Sequence, residues 1–280
     1  MERRSLPATL VLYAGLGLIA LLTLLPFLWT VGASFRENAE IFRYTRPLSI
    51  WTFVPRQPTL EGFAHIFGQD RFGRFMANSL FVALAVTAGG LFVNSLAGFG
   101  FARFRFPGRD PLFAAVLVTF MVPLEIIVIP LYIVVRGFGW IDSYWALVVP
   151  AIADAFSIFL LRQFFQELPQ ELVDAARIDG CGWFGIYWRI ALPLVKPALV
   201  TAGLLTFLRQ WDSFFWPLVA TSSPEYTVVQ VGLAKYITEF VTFWDRLLAG
   251  AVAASLPVLV LYFVLQRYYV QGISTTGLKT

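Results

Sequence analysis

The sequence predicts an all-α, polytopic membrane protein with six transmembrane helices and a cytoplasmic loop between the fourth and the fifth. Of its 280 residues, 58% are hydrophobic and only 14% are charged. A soluble domain is typically about 45–50% apolar and about 25% charged, so one globular core cannot bury this much apolar side chain. The apolar runs do not alternate with polar residues, which favours spanning helices over the strands of a barrel.

Six apolar runs are long enough to cross a bilayer, which takes about 20 residues in a helix. They lie at about 8–33, 76–101, 111–135, 144–166, 196–220 and 247–267. Several contain proline, which breaks a helix in water but is tolerated among neighbouring helices in a membrane. The prolines indicate either simple kinks or discontinuous helices along a transport path. We expect residues 1–280 to form one transmembrane domain.

The placement of arginine predicts that both termini are cytoplasmic. The arginines in question flank the first three spans and are Arg3, Arg4, Arg103, Arg105 and Arg109. Short loops rich in Lys and Arg stay inside the cell, and six spans return the chain to its starting side. This also explains the net charge of +4, because the basic residues are not gathered into a patch that would bind nucleic acid. We therefore expect no nucleic-acid partner.

Residues suited to enzymatic or metal chemistry are scarce. The chain has one cysteine, Cys181, and one histidine, His65, which excludes an internal disulfide and a Cys/His metal cluster. No Ser/His, His/Glu or paired-aspartate set is evident. Two glycine-rich stretches, at 15–20 and 272–280, lack the strand-to-helix context of a phosphate-binding loop. We therefore expect no catalytic residue, no metal site and no cofactor in this chain.

The loop at about 167–195 carries the most specific pattern in the chain. Its charged residues and an Asp-Gly break predict a helix–turn–helix at the membrane face. After Ala175 and Ala176, three residues precede Gly180. Nine further residues then separate Gly180 from the segment 190–193, Ile-Ala-Leu-Pro. Small side chains let a short helix approach a partner closely, glycine permits a sharp turn, and proline ends a helix.

This pattern resembles the ATPase-coupling loop of permeases in ATP-binding-cassette importers, E-A-A-x3-G-x9-I-x-L-P, with Asp174 in place of glutamate. Further stretches, such as 160–165 and 211–218, are similar to the carbohydrate branch of that family, and to the second, shorter permease of maltose and glycerol-3-phosphate importers. The resemblance implies a permease that moves a sugar by alternating access across the cytoplasmic membrane of a bacterium or archaeon.

The resemblance also implies partners and a set of coupling residues. The partners are a second permease, two copies of a cytoplasmic ATPase that holds ATP and Mg, an extracytoplasmic solute-binding protein, and the lipid bilayer. The ATPase-coupling residues are Glu171, Asp174, Ala175, Ala176, Asp179, Gly180, Ile190, Leu192 and Pro193. An outer turn is expected to contact the binding protein and comprises Ser222, Ser223, Pro224 and Glu225.

Polar groups inside the predicted spans are candidates to line a solute path, because charge in hydrocarbon costs at least about 2.5–3.5 kcal/mol. The candidates are Asn94, Glu125, Trp211 and Asp212. Each has a structural alternative: Arg209 and Asp212 have the spacing to pair on one helix face, and amides such as Asn78 and Asn94 link helices. Asp154 fits a structural role slightly better than a path role.

Two other classes of function remain as alternatives. An ATP-independent secondary transporter is expected to show an internal repeat and an ion-coupling cluster at mid-membrane, and neither is clear. An intramembrane enzyme would need a catalytic set, and none is evident.

Overall fold

A computed structural model describes residues 6–276, with the side chains of residues 9–264 and of Gln266. Across this range the chain is helical, which confirms the all-α prediction. The α-helices are α1 Leu6–Ala33, α2 Ile50–Phe53, α3 Glu61–Gly68, α4 Phe72–Arg103, α5 Arg109–Met121, α6 Leu124–Gly137, α7 Tyr144–Ile152, α8 Ala155–Gln166, α9 Gln170–Ile178, α10 Trp183–Ile186, α11 Leu192–Leu194, α12 Lys196–Trp211, α13 Phe215–Ala220, α14 Val229–Ala234 and α15 Trp244–Thr276. A 3-10 turn at Asn38–Glu40 and a π-helical turn at Tyr187–Ala191 complete the set.

Six candidate spans are present if bent helix pairs are counted as single spans. Four qualify by length and composition without a sharp bend: Thr9–Ala33, Phe72–Arg103, Tyr144–Gln166 and Trp244–Val264. The third of these comprises both α7 and α8. The other two are bent, by 104° between α5 and α6 and by 80° between Trp183–Leu194 and α12. The predicted fifth span at 196–220 differs from the structure, because α12 ends at Trp211 and α13 is a separate helix.

The first of two compact units comprises the described residues up to Gly73, together with Gly232–Pro257. Its segment after α1 is organised around Arg36, whose side chain is 1% exposed. The guanidinium donates to three backbone carbonyls, those of Ile41, Trp51 and Thr52. Burial lowers the pKa of Arg36, and the carbonyl oxygens compensate for the water that the guanidinium has lost. Arg3 and Arg4, which support the predicted orientation, lie outside the described residues.

The second unit comprises Arg74–Val231 and the described residues from Val258 onward. Helix α4 crosses α8 at Gly98, where an added Cβ would lie 3.0 Å from the backbone nitrogen of Arg162. Glycine is needed there because two helix backbones approach each other closely. This crossing places Phe99 of α4 next to Phe165 and Tyr187, at the base of the 167–195 loop.

Candidate functional site

Helix α9 ends in a backbone conformation that requires glycine. Gly180 has φ +77°, the left-handed region, which costs a residue with a Cβ roughly 1–2 kcal/mol. Its N–H donates to the carbonyl oxygen of Arg177 at 3.1 Å, and the N–H of Cys181 donates to that of Ala176 at 2.9 Å. These two bonds form a Schellman motif, which satisfies the last carbonyls of a helix and stops it. The predicted turn at Asp179–Gly180 is thereby placed at the end of α9.

The two long faces of α9 differ in their surroundings. Val173 and Ala176 are buried in the core of the second unit. The opposite face is exposed and carries both charged and apolar side chains: Glu171, Leu172, Asp174, Ala175, Ile178 and Asp179. The side chain of Ile178 is 86% exposed at the tip of the helix. Of the two motif alanines, therefore, only Ala175 is available to a partner, and Ala176 packs inside the chain.

The start of α9 is tied to the end of α4 by Arg103. One guanidinium nitrogen donates to Oε1 of Gln170 at 3.0 Å, and the other donates to the carbonyl oxygen of Leu168 at 2.5 Å. Gln170 in turn donates through Nε2 to Oδ1 of Asp174 at 3.0 Å. The start of α9 is therefore bonded directly to a spanning helix through charge-assisted hydrogen bonds.

The second half of the loop packs against the same helix. Tyr187 is buried, and its hydroxyl lies 2.7 Å from Oγ of Ser95 in α4. Ile190 and Leu192 are half-buried against this core. Pro193 is exposed and lies just before the 80° bend into α12, as expected for a residue that redirects the chain.

A second cluster surrounds Asp154, at the break between α7 and α8. Its carboxylate accepts hydrogen bonds from the backbone N–H and the hydroxyl of Ser157, at 2.8 and 2.5 Å, and so caps α8. Both nitrogens at the end of Arg209 also donate to it, at 2.9 and 2.7 Å. Asn94 bonds to both sides of the break: Nδ2 donates to the carbonyl oxygen of Ile152, and Oδ1 accepts from the N–H of Asp154. Asn94 therefore links helices in this structure.

The spacing of Arg209 and Asp212 allowed them to pair on one helix face. This pairing is wrong, because Arg209 is paired with Asp154. Asp212 is exposed, and the one hydrogen bond its carboxylate receives within the described residues comes from Nε2 of Gln230 at 3.3 Å. Trp211 is 2% exposed and stacks on Phe207, so it does not lie on an open surface in this conformation. Glu125, in the first turn of α6, is exposed.

The outer turn at 222–225 is held from two sides. Oδ1 of Asp142 accepts from the backbone N–H groups of Ser222 and Ser223, each at 3.0 Å. The hydrogen bond from Ser223 is the main cause that lowers the pKa of Asp142. On the other side, Nδ2 of Asn78 donates to the carbonyl oxygen of Glu225 at 2.9 Å. The exposed tip, Pro224 and Glu225, is thus presented by a fixed backbone.

Residues 90–275 match the profile of the family described as "Binding-protein-dependent transport system inner membrane component". The match covers more than half of the chain. The chain belongs to this family. It is a multi-pass permease of the inner membrane, and the family is one of transport proteins and not of enzymes.

Relatives of this permease match it along nearly their whole length. The arabinooligosaccharides transport system permease protein AraQ of Halalkalibacterium halodurans is 34% identical and is covered completely, as is this chain. The lactose transport system permease protein LacG of Rhizobium radiobacter is 31% identical over 96% of both chains. A glycerol-3-phosphate permease, UgpE of Rhizobium meliloti, is 31% identical over 91% of this chain and 92% of its own.

A solved structure shows the same fold as this permease. It is that of a bacterial ABC transporter involved in the import of the acidic polysaccharide alginate. One of its chains superposes with a TM-score of 0.82 at 24% identity, covering 96% of this chain and 99% of that one. The overall fold of this chain has therefore been seen in an importer.

Sequence reasoning missed three residues of the permease that the structure places at these sites. Ile178 is exposed on the face of α9 that also carries the acidic residues, and its apolar side chain two residues before the motif glycine was the available signal. Arg103 was used only to assign orientation. Asp142 has φ +57°, and its Asp-Ser sequence gives no local indication that it holds a turn 80 residues away.

Proposed function

We propose that this chain is one of two permease subunits of an ATP-driven importer that carries a sugar or sugar-like solute inward by alternating access. Two copies of a cytoplasmic ATPase, which bind ATP and Mg, would supply the force. An extracytoplasmic solute-binding protein would deliver the solute. Residues 1–280 act as one transmembrane domain with both termini in the cytoplasm, an orientation that the arginine-rich loop between α4 and α5 supports.

The observation that carries this proposal is the two-sided construction of α9. One face is buried in the permease and its start is bonded to Arg103 of α4, while the other exposes the apolar side chain of Ile178 among acidic residues. An apolar side chain of this exposure at a helix tip is typical of a residue that fills a pocket on a partner. A helix fixed in this way can transmit force from the ATPase to a spanning helix.

The outer turn at 222–225 supports a contact with the binding protein. Its backbone is already fixed by Asp142 and Asn78, so little conformational entropy would be lost when it meets a partner. A solved alginate transporter, of the same fold at 14% identity, is described in complex with a pentasaccharide-bound periplasmic protein. We propose that Ser222, Ser223, Pro224 and Glu225 form the corresponding contact here.

The experiment compares two substitutions of exposed isoleucine. Ile178→Asp places a charge in the contact with the ATPase, and we expect it to abolish co-purification of the ATPase and solute-stimulated ATP hydrolysis. Ile237→Asp is the matched control, because Ile237 is also exposed but lies in the segment between α14 and α15, expected on the outer side. Normal ATPase association with the Ile178 variant would contradict the assignment of α9 as the coupling element.

The names of the relatives support a carbohydrate cargo but do not decide its charge. Arabinooligosaccharides and lactose are neutral, whereas glycerol 3-phosphate and alginate are anionic.

A further inference from the structure

Three carboxylates of the second unit lie at interruptions of the helices, and one of them is bonded to Arg209. Asp154 is at the break between α7 and α8, Asp212 follows the last residue of α12, and Glu125 follows the break between α5 and α6. The side chain of Arg209, whose charge cannot face lipid cheaply, is 46% exposed. Interrupted backbone is tolerated in a membrane only inside protein or along a water-filled cavity. The exposed groups at these interruptions would therefore face the solute path or the second permease rather than lipid.

Two groups near Asp154 would attract an anion, the guanidinium of Arg209 and the N-terminus of α8, and the carboxylate of Asp154 already binds both. A guanidinium and a helix N-terminus are the usual binding groups for carboxylate and phosphate. Asp154 receives both nitrogens of Arg209 and also the N–H and hydroxyl of Ser157 in the first turn of α8. A carboxylate or phosphate on the solute would meet an Arg209 whose charge is already balanced by Asp154, and could take over these four bonds only by displacing that carboxylate.

Two exposed carboxylates are left available as hydrogen-bond acceptors. Asp212 is exposed and receives one long hydrogen bond, from Gln230. Glu125 is exposed as well. Such carboxylates accept hydrogen bonds from hydroxyl groups and repel anions.

We infer that this permease passes uncharged, hydroxyl-rich solutes and excludes those that carry carboxylate or phosphate groups. The inference rests on the proposed importer function. Asp154 sets the charge selectivity because it neutralises Arg209, and Asp212 accepts hydrogen bonds from the hydroxyl groups of the passing solute.

The test measures ATP-driven uptake into proteoliposomes that contain the complete transporter, with its binding protein. The probes are maltotriose and arabinotriose as neutral solutes, and trigalacturonate and glycerol 3-phosphate as anions. We expect uptake of at least one neutral probe to exceed that of either anion by about tenfold or more. Equal or faster uptake of an anion would overturn the inference, and so would the absence of uptake for both neutral probes. In either case normal ATPase association through α9 would leave the importer function itself standing.

A second measurement avoids selection by the binding protein, using the purified permease–ATPase complex without it and direct binding of the same probes. Asp154→Asn keeps an oxygen that can cap α8 but frees the charge of Arg209, so we expect it to gain affinity for trigalacturonate. Ser157→Ala is the control, because it removes one hydrogen bond from Asp154 and leaves the ion pair intact. Unchanged rejection of trigalacturonate by the Asp154 variant would refute the role of the pair.

Discussion

Substitution of Gly180 tests directly whether the left-handed end of α9 is needed for coupling. A Cβ added at Gly180 would meet no atom within 4 Å, so the chain itself has room for a side chain. The penalty for serine there therefore comes from the backbone, and amounts to about 1–2 kcal/mol for a residue at φ +77°. Relief of this strain would open the turn and break the bonds made by the N–H groups of Gly180 and Cys181.

The expected size of the effect follows from that energy. A difference of 1–2 kcal/mol increases the population of an opened state by a factor of about 5–30. Amide hydrogen exchange at Cys181, whose N–H bonds to the carbonyl oxygen of Ala176, should accelerate by about the same factor in Gly180→Ser. Affinity for the ATPase should fall by up to this factor, since the tip of α9 must be ordered to bind.

Two further variants make this prediction specific. Gly182 has φ −72° and is also free of neighbours, and it is the N-cap of α10, where serine is favoured. Gly182→Ser should therefore leave exchange and ATPase binding unchanged. Gly180→Asn should fall between wild type and Gly180→Ser, because asparagine tolerates the left-handed region better. The same exchange rate at Cys181 in the two serine variants would refute the reasoning.

Two other contacts give further predictions. Arg103→Ala removes two hydrogen bonds of a charged donor, each worth about 1.5–3 kcal/mol, and should lower the amount of solute transported per ATP while the ATPase still binds. Arg105→Ala is the control, because Arg105 is an exposed neighbour. A wild-type ratio of solute transported to ATP hydrolysed in both variants would contradict the link between α9 and α4. Asp142→Ala should free the outer turn and weaken binding-protein affinity, and Asp142→Asn, which keeps an acceptor oxygen, should do so less. Because the turn lowers the pKa of Asp142, the hydrogen bonds from Ser222 and Ser223 should be fully present above the ordinary pKa of an aspartate and be lost only as pH falls through the lowered pKa. An unchanged affinity for the binding protein in Asp142→Ala would contradict the assignment of the 222–225 turn as its contact.

The spans and the 167–195 loop could be predicted because each depends on neighbouring residues in the chain. A run of apolar residues long enough to cross a bilayer is a local property, and so is the spacing from Ala175 to Pro193. The positions at which the spans are interrupted were harder to predict from the sequence. Helix α1 continues through Pro26 and α15 through Pro257, since other groups in a bundle can satisfy the freed carbonyls. The break after Ile152 instead depends on Asn94, which bonds to both sides of it.

The partner of Arg209 shows why the chemistry of the path could not be read from spacing. Asp212 is three residues away, a separation at which side chains on a continuous helix can meet. Helix α12 ends at Trp211, however, with Asp212 as its C-cap, whereas Asp154 is held towards Arg209 by its role as the cap of α8. One carboxylate can satisfy a helix end and a guanidinium together, so the 55-residue separation costs less than leaving either group unpaired. The availability of Asp212, and with it the expected preference for neutral solutes, is therefore a consequence of where two helices stop.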